Sequence, residues 1–198
     1  MRSAFTANKR LFQPSSFYTA LPIVSSSDLS DSTIPGLLAL HIRKGDFEDH
    51  CVHLSKWSAD WNGFNKFPSF IDKFTPPPGG GGGYTTPENT ELYLTHCFPT
   101  VQRIVDKVME VQKVSEGLKN VYIMTNGQVP WLEELKAALL KAHRWDQVAS
   151  SRDLKLNWEQ KYVAQTVDMM IGERAQVFIG NGVRGLVFFS SFSYAGYD

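Results

Sequence analysis

The sequence predicts an α/β fold, a parallel sheet with helices on its faces, from three observations. Three apolar runs, Leu37-Leu38-Ala39-Leu40, Val121-Tyr122-Ile123-Met124 and Ala175-Gln176-Val177-Phe178-Ile179, each empty into a short Gly-containing polar stretch, as buried strands do where they end in loops. The segments between them carry apolar residues at helical spacing, and strands that alternate with helices pair in parallel. The 198 residues, 42% hydrophobic and 13% aromatic, suffice for one domain with a sizeable core and exclude global disorder. Lys plus Arg and Asp plus Glu number 20 each, so no net field draws the chain to nucleic acid or an acidic membrane surface. An anion would be held by a local cluster.

Residues 1–34, rich in Ser, Thr and Pro, read as a loose arm or linker that Phe12, Phe17 and Tyr18 could pin. The first strand is expected at about 36–42. Residues 47–88 read as a long irregular loop whose aromatics, Trp57, Trp61, Phe64, Phe67, Phe70 and Phe74, pack on the domain. The tract Pro76-Pro77-Pro78 followed by Gly79–Gly83 reads as a mobile tip. The glycines do not form a phosphate loop, because no strand precedes them and no Gly-Lys-Ser/Thr ending follows.

Thr86 fits a helix N-cap, with Pro87 at the first helical position and Glu88 and Glu91 at the positive end of the dipole. Leu94, Phe98, Val101, Ile104, Val105 and Val108 continue that helix, and Pro99 should kink or split it. The second strand is expected at 121–124, with Thr125-Asn126-Gly127 as its loop. A helix is expected at 130–143, with Leu132, Leu135, Leu139 and Leu140 along one face. A short strand is expected near Val148. A helix over 158–174 carries Tyr162, Val163, Val167, Met170 and Ile171, with Met169 and Met170 as core filler. The last strand, Ala175–Ile179, is expected to empty into Gly180-Asn181-Gly182.

In a parallel sheet the loops at His41–Phe47, Thr125–Gly127 and Gly180–Gly182 share one edge, the carboxyl edge where open α/β sheets bind ligands. Arg43 offers a planar fork of donors for phosphate. Gly45 allows close approach of backbone. Asp46 repels phosphate, so it is expected to orient Arg43 or accept bonds from a base or sugar. Gly180-Asn181-Gly182 could expose N–H groups to an anion. The plain alternatives are a surface Arg–Asp pair, a structural histidine and a simple turn.

His50-Cys51-Val52-His53 and His96-Cys97 raise a metal reading, but zinc sites use tighter spacing. Ordinary thiols are the preferred reading of Cys51 and Cys97, and a disulfide suits an oxidising compartment. No run reaches the roughly 18 apolar residues of a membrane span. Residues 1–10 lack the apolar stretch of a signal peptide.

His41-Ile42-Arg43-Lys44-Gly45-Asp46-Phe47 resembles the first motif of the protein O-fucosyltransferase-like enzymes, fungal members among them. Val121–Asn126 resembles their second motif, and Asp168–Asn181 their third, which normally runs on into a Ser-Ser/Thr pair. The resemblance covers about 35–182, including the Trp-rich loop and the Thr-Pro-Glu-Asn helix start. It implies a Rossmann-like domain equivalent to the C-terminal half of a two-domain GT-B glycosyltransferase. It also implies inverting transfer of fucose from GDP-fucose to a protein or glycan hydroxyl, without a metal or other cofactor, in the ER or Golgi.

By the same resemblance Arg43 is catalytic, holding the β-phosphate as the glycosidic bond breaks. His41, Gly45, Asp46, Thr125, Asn126, Gly180 and Asn181 bind the donor with it. The acceptor-binding half is expected to be missing from this chain. Residues 183–198, where Val183-Arg184-Gly185 stands in place of the Ser-Ser/Thr pair, are expected to be a divergent or truncated tail. The alternative expectation is a non-catalytic nucleotide-binding or interaction module that kept the fold.

Overall fold

The computed structural model describes residues 33–60, 74–182 and 185–190. The first 32 residues of the expected arm, the aromatic stretch 61–73 and residues 191–198 lie outside the described residues.

The architecture is an α/β, Rossmann-like parallel sheet with helices on both faces. Strand β1 spans Ile34–Ile42, and Leu37, Leu38, Ala39 and Leu40 are all buried. Burial of consecutive residues means that both faces of the strand are covered, as in the centre of a parallel sheet. Strand β2 is Asn120–Thr125, β3 is Gln147–Ser150 and β4 is Ala175–Gly182. A fifth strand, β5, spans Gly185–Ser190. The order is β3-β2-β1-β4-β5, with β1 parallel to both β2 and β4, and β2 parallel to β3. Strand β5 runs antiparallel to β4. The expected divergent tail therefore contributes an edge strand, and the sheet does not stop at residue 182.

Six helices are described. Helix α1 is Glu48–Lys56, α2 is Pro87–Cys97, α3 is Val101–Val114 and α4 is Val129–Ala142. Helices α5, Trp158–Tyr162, and α6, Ala164–Arg174, follow. On one face Ile104, Val105, Val108 and Val111 of α3, with Leu132, Leu135 and Leu139 of α4, pack on Leu38, Leu40, Ile42, Val121, Ile123, Val177 and Ile179. On the other face Val167 and Ile171 of α6 pack on Leu37, Ala39, Tyr122 and Met124. The α1–α2 corner has its own small core of Phe47, Cys51 and Cys97 with Leu54, Leu94 and Phe98.

Capping follows the local chemistry. The Thr86 hydroxyl accepts the Asn89 N–H at 3.1 Å, and the Thr100 hydroxyl accepts the Arg103 N–H at 3.3 Å. Pro99 splits one apolar pattern into α2 and α3, because its ring cannot continue the first helix.

Several expectations are corrected. Part of the stretch read as a loop over 47–88 is helix α1, whose buried residues, Cys51 and Ser55, are too small to leave an apolar stripe. The Pro–Gly tract is joined to its surroundings at both ends. The Pro78 carbonyl accepts from the Asn89 amide at 3.0 Å, and the Gly83 N–H donates to the Lys56 carbonyl at 3.0 Å. Positive φ angles at Gly79, Gly81, Gly82 and Gly83 make this winding a glycine conformation. The helix expected over 158–174 breaks at Val163. Met169 and Leu140 are exposed and fill no core. Cys51 and Cys97, preferred as thiols, form a disulfide joining α1 to α2, with Cα atoms 5.8 Å apart. Among the described residues, no helix is long and apolar enough to cross a membrane.

Candidate functional site

The chain leaves β1 toward β2 and returns through β4 on the opposite side of β1. The β1/β4 boundary is therefore the topological switch point, where the carboxyl edge of an α/β sheet opens a crevice. His41 lies at this edge, in register with Met124 of β2 and Gly180 of β4. Arg43 is the first residue beyond the strand.

Arg43 is held by Asp46. Nε donates to Oδ1 at 3.4 Å and Nη2 to Oδ2 at 3.3 Å, and the guanidinium carbon sits 4.7 Å from the centre of the Phe47 ring. The pair is exposed, with 51% of the Arg43 side chain and 64% of Asp46 open to solvent, and its bonds are long. An exposed pair of this kind contributes little to stability. The Arg43 hydrogen bond, a second from Asn126 and the Arg43 charge hold the Asp46 carboxyl below its ordinary value.

Asn126 fastens the loop. Its Oδ1 accepts the N–H groups of Lys44 at 2.9 Å and Gly45 at 3.0 Å, while its Nδ2 donates to Asp46 Oδ1 at 2.8 Å. Thr125 ties the two strand ends together, donating to the Ile42 carbonyl at 2.6 Å and accepting the Gly127 N–H at 3.0 Å. A Cβ on Gly45 would lie 2.6 Å from the Asn126 carbonyl oxygen, so only glycine lets the loops approach this closely. Gly45 thus serves the protein's own backbone contact.

Lys44 turns away from the edge. Its Nζ donates to the Pro99 carbonyl at 3.2 Å and lies 3.3 Å from the centre of the Phe98 ring, with Trp131 at 5.9 Å. Desolvation lowers its pKa, against the charges of Glu48 and Glu134. The lysine anchors the loop to the α2–α3 corner, while the Arg43 side chain stays half exposed at the edge.

His41 is exposed, yet it is packed closely enough that desolvation lowers its pKa. The Asp168 charge opposes this and Arg43 adds to it. Asp168 was legible only as the first residue of the third motif. It accepts from the Tyr122 hydroxyl at 2.6 Å and from Ser151 Oγ at 2.8 Å. Desolvation raises its pKa against those two bonds and the His41 charge. Tyr122 is driven well above the usual phenol range by burial first and by Asp168 second. The available signal was a carboxylate directly beside the buried pair Val167 and Ile171 on one helix. Arg152 was also missed. Its Nη2 donates to the Gly127 carbonyl at 2.7 Å and ties the turn after β3 to the β2 loop.

The six residues His41, Arg43, Gly45, Asp46, Thr125 and Asn126 thus gather at one edge. Gly180 and Asn181 border it, but not as a loop. They belong to β4, with Gly180 in register with His41 and Val187, and Asn181 with Ile42 and Leu186. Their backbone is committed to the sheet on both sides, so the expected cradle of N–H groups at Gly180-Asn181-Gly182 does not form.

No group of three or more His, Cys, Asp or Glu side chains able to hold a metal is present among the described residues. The two cysteines of the weighed metal reading are consumed by their disulfide. No protein-family model matches this chain, and a search of curated proteins finds no match.

Proposed function

We propose that the chain binds a GDP-sugar through its diphosphate, with GDP-fucose the donor that the motif resemblance implies. In this reading it is the donor-binding part of an inverting, metal-independent glycosyltransferase of the GT-B type. The observation that carries the reading is Arg43, an exposed guanidinium at the switch point on a loop braced by Asn126 and anchored by Lys44.

Two oxygens of a phosphate can take over the planar guanidinium fork that Asp46 holds through two long bonds. On the diphosphate, Arg43 neutralises charge that develops as the sugar–phosphate bond breaks. His41 stands beside it as a second donor. Thr125 and Asn126 act from behind, keeping the loop in the binding shape. Gly180 and Asn181 wall the opposite side through their backbone. The acceptor is a protein or glycan hydroxyl. The buried Cys51–Cys97 disulfide supports an oxidising compartment such as the ER or Golgi.

Isothermal titration with GDP tests this reading. Binding that survives EDTA and disappears in Arg43→Ala is expected; absence of binding by any guanine nucleotide overturns it. A second reading, binding without transfer, is favoured by the chain's return as β5 from Gly185 along Gly180–Gly182, directly after the place where the resemblance expects Ser-Ser/Thr donors for the phosphates. GDP binding with no fucosyl transfer to any protein or glycan hydroxyl selects it.

A further inference from the structure

The proposed donor site leaves one ionisable group without a task. Asp168 of α6 is gripped at both carboxylate oxygens, Oδ1 by the Tyr122 hydroxyl at 2.6 Å and Oδ2 by Ser151 Oγ at 2.8 Å. The grip draws on three separate elements, α6, β2 and the turn after β3, so the carboxylate cannot swing and its charge points one way.

Side chains alternate along a strand. Ala39 packs on the α6 face with Tyr122, its register partner, and His41 is the next residue on that face toward the carboxyl edge. The imidazole and the Asp168 carboxylate are electrostatically coupled. The other charge bearing on His41 is Arg43 of its own loop, while the Tyr122 hydroxyl on the same face donates to Asp168, and β4 presents Gly180 at the register position. Against Arg43 alone, a protonated His41 would be repelled. A fixed carboxylate on the inner side offsets that repulsion.

We propose that Asp168 is a positioning residue for the diphosphate site: it is the fixed counter-charge that lets His41 take a proton from solvent when a phosphate settles beside Arg43. The inference rests on the GDP-sugar reading for its ligand, but the Asp168–His41 coupling exists without one. In the bound state His41 and Arg43 face the phosphate as two cations, with Asp168 behind the first.

Histidine NMR on the full chain tests both parts. Of the five histidines, His41 is assigned by the signal missing in His41→Ala. Without ligand, Asp168→Asn should lower the His41 titration midpoint by about one pH unit, and Asp168→Glu should restore much of it. A folded Asp168→Asn whose midpoint is unchanged overturns the proposal. If Asp168→Asn does not fold, Ser151→Ala replaces it: the released oxygen turns toward the imidazole and raises the midpoint, and an unmoved midpoint again overturns the idea. Saturating GDP should raise the wild-type midpoint; bound GDP that leaves it in place refutes the proton uptake. Failure of GDP to bind at all refutes the donor-site reading instead, and the ligand-free comparison still decides the role of Asp168.

Discussion

Gly45 tests the site with one methyl group. Its Cβ position lies 2.6 Å from a backbone oxygen of Asn126, so Gly45→Ala must push the Arg43–Asp46 loop off the β2 loop. GDP affinity should fall at least about tenfold, equivalent to about 1.4 kcal/mol, while the melting temperature moves little, because the loop lies outside both main cores. Titration calorimetry beside thermal unfolding separates the two effects. Asn126→Asp attacks the same contact electrostatically, placing a second carboxylate against Asp46 where an amide donates at 2.8 Å. Its binding defect should shrink as the pH falls and the pair takes up a proton. His41 makes a pH prediction of its own. Its folded pKa lies below the ordinary 6.5, so protonation costs more in the folded chain than in the unfolded one. Stability is therefore fully retained above 6.5 and declines as the pH falls toward the folded value, then levels off once both states are protonated. Urea midpoints of wild type and His41→Gln at several pH values should diverge only within that window.

Among the elements, α1 depends most on a covalent tie. Its fully buried side chains, Cys51 and Ser55, are small, and with Leu54 partly buried beside them they supply little of the apolar area that holds a helix in place. The disulfide to α2 spans 46 residues of sequence, a loop whose closure is worth roughly 3–4 kcal/mol in chain-entropy terms. Cys51→Ser with Cys97→Ser should lower the urea-derived stability by about that much, and dithiothreitol should reproduce the loss in wild type. By contrast α4 is held by packing. Leu135→Ala, at a fully buried position, should cost about 2–5 kcal/mol in the same assay. These differences explain what the sequence disclosed. Strands β1, β2 and β4 and helix α4 were legible because large apolar residues mark them. Helix α1 was not, because small residues do its packing. Asp168 was barely visible as a site residue, because its partners Tyr122 and Ser151 are 46 and 17 residues away and only the folded sheet brings them together.

For the whole molecule, the placement of Arg43 follows from strand order, and strand order was only partly readable. Parallel pairing and a shared edge followed from the alternation of elements. The switch point between β1 and β4 did not, because it depends on where the chain returns. The end of β4 was misjudged for a related reason: Gly180-Asn181-Gly182 has turn chemistry in isolation, but β1 and β5 hold it extended. A chain ended by a stop codon after Gly182 should expose the outer edge of β4 and self-associate, seen as higher-order species in light scattering coupled to size exclusion. An unchanged monomer fraction would assign β5 no protective part.

The Cys51–Cys97 bridge also sets how this protein would come apart. A single protease cut anywhere between the two cysteines severs the backbone but separates no mass, since the sulfur bridge still joins both pieces. Such a nicked molecule keeps its strands and its edge loops on one covalent body. It runs as one species without reductant and as two fragments with it.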